Sequence, residues 1–311
     1  MLILGQKYTF TELEKERLKK QFNTITDIVY KDKVAKDVIN EIDATLQKDR
    51  FSVIVLNTKV KVDDEIIKYL TNLKYDEKYT NIKMISIEHF LEEYLYKCYI
   101  PESNDDLHYL DDIKGFSKFQ YFQKRVIDYF GIFWLFVFSF FVMKKCEKKI
   151  AQESPGPIYF KQYRVGYNNK EFECIKFRSM RLDAEKDGAV FASKNDSRVF
   201  PWGEHMRKRR YDELPQMKNI LKGEMHLIGP RPERKVWTDQ FEEQIPYYAQ
   251  RHVVRPGITG WAQVMYPYGE NAFDARQKLM YDLYYIKHWN IWLELKVVWM
   301  TAMVVINKKG V

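Results

Sequence analysis

The sequence predicts a two-part molecule: a small α/β module, then a mainly α (α+β) unit built around a re-entrant membrane helix. Three observations lead there. β-rich runs alternate with helical stretches over residues 1–100; an 18-residue apolar run, Val126 to Met143, lies between basic clusters; and segments between 154 and 264 frame Arg and carboxylate residues with Gly and Pro. The predicted boundaries are 1–100 for the module, 101–117 for a linker and 118–311 for the second unit.

The opening MLILGQKYTF lacks the basic start, long apolar core and small-residue cleavage site of a signal peptide, so the N-terminus is expected in the cytosol. TELEKERLKKQF and VAKDVINEIDATL read as helices, TDIVY, FSVIVLN and NIKMISI as strands, and IEHFLEEYLYK as a further helix. Strand and helix in alternation define an α/β unit. No GxGxxG follows a strand and no GKS or GKT occurs, so dinucleotide and P-loop readings have no support. The polar, acidic PESNDDLHYLDDIKGFS is the linker.

In VIDYFGIFWLFVFSFFVM only Asp128, Gly131 and Ser139 are not strongly apolar. As a helix it is about 27 Å long, just short of a ~30 Å hydrocarbon core. Length therefore does not separate a span from a dip. Lys124 and Arg125 precede the run, and Lys144, Lys145, Lys148 and Lys149 follow it. Both ends thus carry the charge that prefers the cytoplasmic side, which favours a re-entrant helix. The alternative is a buried core helix of a soluble protein. Near the C-terminus, NIWLELKVVWMTAMVVI, close to Trp289 and containing Trp292 and Trp299, reads either as a helix in the membrane interface or as an ordinary packed helix.

With 30% charged and 46% hydrophobic residues the chain is globular rather than disordered. Cys98, Cys146 and Cys174 form no CxxC pair, so no disulfide framework or zinc spacing is present and the compartment reads as reducing. The net charge of +8 is uneven: residues 1–115 carry −4 and residues 116–311 carry +12. An anionic partner is expected at the second part: nucleic acid, a membrane surface or phosphates.

The six histidines fall in no HExxH-like pattern, and there is no GxSxG elbow. The candidate chemistry lies instead in SPGPIYFKQYRVG (154–166), KFRSMRLDAEKDG (176–188), RRYDELPQMKNILKGEMHLIGPRPER (209–234) and RPGITGWAQV (255–264). Pro and Gly fix loop shape, so Arg231, Arg234 and Arg255 are presented in defined directions, and the guanidinium fork suits phosphate oxygens. Asp183 and Glu185 sit among Lys176, Arg178 and Arg181, which keep them ionised. Oxygen-only ligation beside phosphates suits Mg²⁺. Carboxylate, metal and phosphate clamps together point to phosphoryl transfer. Singly, each motif has an ordinary reading: DAE as a solvated face, DELPQ as a helix N-terminus with its acidic first turn. The basic residues lie in framed loops rather than on one helix face, which argues against nucleic acid.

Residues from about 120 to 306 resemble the bacterial sugar transferase family, the monotopic phosphoglycosyl transferases that begin exopolysaccharide, capsule and O-antigen assembly. KRVID (124–128), SPGPIYFKQYRVG, KFRSM with DAEKDG, DELPQMKNILKGEM, IGPRPER and RPGITGWAQV carry the resemblance. It implies an enzyme at the cytoplasmic face of the bacterial inner membrane that transfers a sugar 1-phosphate from a UDP-sugar to undecaprenyl phosphate, releasing UMP. It implies Asp183 as nucleophile, Glu185 as its partner in organising Mg²⁺, and Arg231 on phosphate. Lys176, Arg178, Arg234 and Arg255 are further phosphate candidates, and Lys124, Arg125, Asp128 and Ser139 belong to the membrane element. A homodimer is compatible with these partners; nucleic acid is not expected. The competing reading is a non-catalytic membrane scaffold that recruits polysaccharide enzymes. Two features depart from the family: Ala184 separates the acidic pair, which makes Asp187 a third candidate, and Phe140 stands after Ser139 where relatives have Pro. The N-terminal part resembles, more loosely, the Rossmann-like module of larger members.

Overall fold

Four parallel strands alternate with helices in the first part of the chain: β1 (Leu2–Leu4), α1 (Glu12–Lys19), β2 (Thr26–Ile28), α2 (Ala35–Lys48), β3 (Val53–Leu56), α3 (Asp64–Leu73), β4 (Lys83–Ser86) and α4 (Ile87–Tyr94). They belong to a computed structural model that describes residues 1–31, 33–58, 62–102, 113–184, 186, 196–266, 269 and 271–306. The chain divides into two units, Met1–Tyr99 and Ile100–Val311. In the first, the strand order β2-β1-β3-β4 is that of a parallel α/β sheet. Leu2, Leu4, Ile54 and Val55 are buried, as continuous apolar strands covered on both faces require. Helix α2 buries Val38, Ile42 and Leu46, and α3 buries Ile66, Leu70 and Leu73, each a single stripe.

The α/β character, the three expected strands and the three expected helices are all present; β1 and α3 are additions. Ligands of such sheets sit where the strand order reverses, beyond the carboxyl ends of β1 and β3. There the buried Asn57 accepts from the Tyr8 N–H (2.7 Å) and donates to the carbonyls of Tyr8 (2.9 Å) and Gly5 (3.3 Å). The chain's own amide fills that position. Of the predicted linker, residues 103–112 lie outside the described residues.

The second unit begins with α5 (Lys118–Glu153), an uninterrupted helix of 36 residues that extends well beyond the apolar run. Ser117 starts it with a capping box: its hydroxyl accepts from the Gln120 N–H, and the Gln120 side chain accepts from the Ser117 N–H. Ser154 closes it ahead of Pro155. Lys124, Asp128, Ile132, Ser139, Cys146 and Ile150 form one buried stripe along its whole length. Ile132, Cys146 and Ile150 join Phe172, Phe177, Met206, Met217 and Ile220 in the unit's core. The other faces are bare: Phe130, Phe133, Phe138 and Phe141 are exposed, and only 17% of the apolar window is buried. A soluble core helix would bury that surface. Among the described residues this is the one helix long and apolar enough to cross a membrane.

Strands β5 (Tyr159–Val165) and β6 (Glu171–Phe177) form an antiparallel hairpin. Its turn puts Asn168 and Asn169 in the left-handed region, which Asn tolerates. Then follow α6 (Pro201–Lys208), α7 (Met217–Leu221), β7 (His226–Ile228), α8 (Lys235–Gln244), β8 (Gly257–Thr259), α9 (Trp261–Met265), α10 (Ala272–Lys287) and α11 (Ile291–Ile306). Of the two readings of the C-terminal helix, packing holds for one of its faces. α11 buries Leu293, Glu294 and Val297, while Trp292, Leu295 and Trp299 are exposed. Cys98, Cys146 and Cys174 are buried, and none is in a disulfide among the described residues.

Two buried imidazoles make the fold sensitive to acid. Burial pushes His226 down to about 4 and His252 down to about 3. The unfolded chain takes up these protons near pH 6.5 and the folded one refuses them, so stability is full above that pH and falls as pH drops towards 4. His226 alone contributes about 3 kcal/mol to this loss. Thermal unfolding between pH 7 and 4.5 is expected to show the decline, and His226→Gln to flatten it; an unchanged slope in the variant contradicts this assignment.

Candidate active site

Segments distant in sequence meet at Glu213. The chain enters the 3₁₀ turn Tyr211–Gln216 through Arg210, whose φ is +56°, and this turn directs Glu213 inward, where it is only 4% exposed. Its Oε1 accepts from Lys176 Nζ at the end of β6 (3.1 Å) and from Arg231 (3.0 Å); Arg210 lies 3.4 Å from Oε2. Asn219 holds this turn against β6, accepting from the Ile175 N–H (3.1 Å) and donating to the Glu173 carbonyl (2.7 Å). Burial alone would raise the Glu213 carboxyl, but Lys176, Arg231 and Arg210 outweigh it and hold it far below the usual carboxylate range. Glu213 in turn raises Arg231, while burial and Glu213's charge push the neighbouring Asp212 up. The result is a preorganised cationic cluster around one internal anion.

Arg231 reaches it from a rigid loop. β7 and β8 pair in parallel, and the segments IGPRP and RPGITG pack backbone against backbone. A Cβ on Gly257 would stand 2.1 Å from the Gly229 nitrogen, and one on Gly260 2.1 Å from the Gly229 oxygen, so side chains are excluded at both. The Arg231 carbonyl accepts from the buried Arg251 (3.0 Å), itself tied to Asp282 (2.8 Å) and to the Tyr248 hydroxyl (2.8 Å). Arg164 donates to the Pro232 carbonyl (3.3 Å) and lines, with Lys176, Gln216 and Arg231, a small crevice beside the cluster.

Asp183 is exposed, on the turn Leu182–Ala184 that follows the KFRSM segment. Arg198 braces this turn: its guanidinium holds Asp196 through two bonds (2.8 and 2.6 Å) and donates to the Ala184 carbonyl (3.2 Å). Leu182 meets the neighbouring loop, 3.2 Å from where a Cβ on Gly156 would lie. Glu185 and Asp187 lie outside the described residues. Mg²⁺ binds through one or two carboxylates together with substrate phosphates. Asp183 is an exposed carboxylate in this stretch, whereas Glu213 is paired with three cations.

The other predicted phosphate ligands are placed differently. Arg178 ties the end of α5 to β6, donating to the Pro157 carbonyl (2.7 Å), the Ser154 hydroxyl (2.5 Å) and the Ser154 carbonyl. Arg255 donates to the Gly223 carbonyl (2.7 Å) and lies between the rings of Tyr121 and Tyr167. Arg234 stands at the N-terminus of α8, where its carbonyl accepts from Trp237 and Thr238. Lys124, Arg125 and Asp128 are engaged within the protein at the base of α5, and Ser139 is buried midway along it. Sequence reasoning missed Glu213, read as part of an acidic first turn, and Arg198. The density of cations around DELPQ was the available signal for Glu213; Arg198 had none.

Fold and site together define a unit with one long, bare apolar helix and a cluster of cations gathered around the buried Glu213. The description "Bacterial sugar transferase" matches residues 119–308, and the chain belongs to that family. It is 50% identical over 161 residues to the UDP-N-acetylgalactosamine-undecaprenyl-phosphate N-acetylgalactosaminephosphotransferase of Aeromonas hydrophila, covering 52% of this chain and 38% of that protein. It is 40% identical over 163 residues to the UDP-glucose:undecaprenyl-phosphate glucose-1-phosphate transferase of Xanthomonas campestris pv. campestris, covering 51% and 34%. The enzyme of that same name from Caulobacter vibrioides is 39% identical over 155 residues, 49% and 58%. The chain thus spans between about a third and somewhat over half of these relatives' lengths.

Proposed function

We propose that this chain transfers a sugar 1-phosphate from a UDP-sugar to undecaprenyl phosphate at the cytoplasmic face of the bacterial inner membrane. The observation that carries this is the Lys176, Arg210 and Arg231 cluster around Glu213, held in one unit with a bare apolar helix. A soluble diphosphate and a lipid phosphate need such a site at one membrane face. Both ends of the apolar run are tied into the same folded unit, Lys124 and Asp128 at β7 and Cys146 and Ile150 in the core, which supports both ends lying on one side. As α5 has no break, a re-entrant course would be oblique and shallow.

The reaction runs in two displacements. An Asp183 carboxylate oxygen attacks the β-phosphorus of the UDP-sugar, the bond to the bridging oxygen breaks, and UMP leaves. A phosphate oxygen of undecaprenyl phosphate then attacks the phosphosugar on Asp183 and frees the carboxylate. Arg231 and Lys176 hold the phosphate oxygens, and the Glu213 carboxylate keeps both oriented before substrate arrives. Mg²⁺, held by Asp183 and Glu185, would neutralise diphosphate charge when bound.

The higher identity to the N-acetylgalactosamine relative favours an acetamido sugar. UMP release with undecaprenyl phosphate and Mg²⁺ is expected to be fastest with UDP-N-acetylgalactosamine and slower with UDP-glucose. Release from none of a panel of UDP-sugars would overturn the reading.

A further inference from the structure

The base of α5 grips the strand that delivers Arg231. Lys124 and Asp128, one turn apart on the same face, are both buried. Lys124 Nζ donates to the Ile228 carbonyl (2.9 Å) and the Tyr285 hydroxyl (2.6 Å) and pairs with the buried Glu294. Asp128 accepts from the Leu227 N–H (2.8 Å) at one oxygen; the other faces His226 Nδ1 (2.6 Å) and Arg125 (3.2 Å). Gly131, on the next turn, admits Leu227, whose Cδ2 would lie 2.6 Å from an added Cβ. All three residues of β7 are therefore held by successive turns of the apolar helix.

A three-residue strand paired to one neighbour cannot fix its own position. Beyond Ile228 only Gly229 and Pro230 intervene before Arg231, and the Arg231 carbonyl is pinned by Arg251. The segment that delivers Arg231 is thus held at both ends, by α5 at β7 and by Arg251 at the Arg231 carbonyl.

We propose that Asp128 and Lys124 are positioning residues, which transmit the seating of the apolar helix through β7 to Arg231 and so complete the cationic cluster. This rests on the reading of Arg231 as a phosphate ligand. It makes the base of the helix part of the site rather than only its anchor.

The test is a double-mutant cycle on the full chain in detergent, with UDP and Mg²⁺ as the probe and calorimetry as the readout. Asp128→Ala and Arg231→Ala are each expected to raise Kd about tenfold, with stoichiometry unchanged, and the double variant to bind no more weakly than Arg231→Ala alone. A merely destabilised protein loses binding sites and keeps its Kd. Hydrogen exchange at the Leu227 and Gly229 amides is expected to accelerate in Asp128→Ala, while the β5–β6 hairpin stays protected. Should the Ala variant not fold, Asp128→Asn, which keeps an acceptor for Leu227, takes its place with a smaller coupled loss expected. Additive losses in the cycle, or unchanged exchange at 227–229, overturn the proposal. If the wild-type chain does not bind UDP while the exchange result holds, the positioning of the segment stands and the functional reading falls.

Discussion

Glu213→Gln is expected to lower both stability and transfer, because it removes the one anion among three cations. Breaking a buried pair by deleting one partner costs about 3–5 kcal/mol. Lys176, Arg210 and Arg231 retain partial access to water, which reduces this to roughly 2–3 kcal/mol here. For a unit of this size that is a fall in Tm of about 5–10 °C. Turnover is expected to fall about a hundredfold, since the groups proposed to hold phosphate lose their common orientation. The pH dependence separates this effect from a general one. The Glu213 carboxyl is depressed, so its contribution is fully present above about pH 4.3, the ordinary range of an unfolded Glu, and is shed as pH falls below it. The stability gap between wild type and variant should therefore be constant from pH 7 to 5 and narrow in stronger acid. The histidine effect lies at higher pH, between 6.5 and 4. A variant with wild-type Tm at pH 7 would show that the cations do not need Glu213.

Asp183→Asn is expected to lower activity without the loss of stability. Its side chain is exposed, so stability should change by less than about 0.5 kcal/mol. Activity should fall at least a thousandfold, because an amide cannot form the acyl phosphate that links the sugar phosphate to the carboxylate. Loss of turnover without loss of Tm assigns the residue to the chemistry rather than to the fold. UMP release measured beside thermal unfolding checks it, with Glu185→Gln and Asp187→Asn in parallel. Full activity in Asp183→Asn removes that residue from its role.

Local pattern carried much of this fold. Alternating β-rich and amphipathic segments marked the N-terminal module, because periodicity is a local property. The parallel order of its strands depends on contacts between distant segments and was not legible. Composition revealed the apolar helix but not its extent, since the ends of α5 at Ser117 and Ser154 are set by a capping box and by the following Pro155 among polar residues. At the site, Lys176 and Arg231 stood out as cations in framed loops. That they converge on Glu213, which lies 37 residues beyond the first and 18 before the second, is a product of tertiary packing. Arg178 and Arg255 have the same residue type and similar framing, yet their guanidinium groups bind backbone carbonyls. A single sequence does not distinguish an arginine that binds substrate from one that binds its own chain.

In the proposed reaction Asp183 carries the phosphosugar between donor and acceptor. Intact-mass measurement of the full chain mixed with UDP-N-acetylgalactosamine and Mg²⁺, before lipid is added, tests it most directly. The expected result is a gain of one phosphosugar, mapped to Asp183 and discharged when undecaprenyl phosphate is supplied. UMP release and lipid product in the presence of a protein that never gains mass, under conditions that would preserve the adduct, would contradict it.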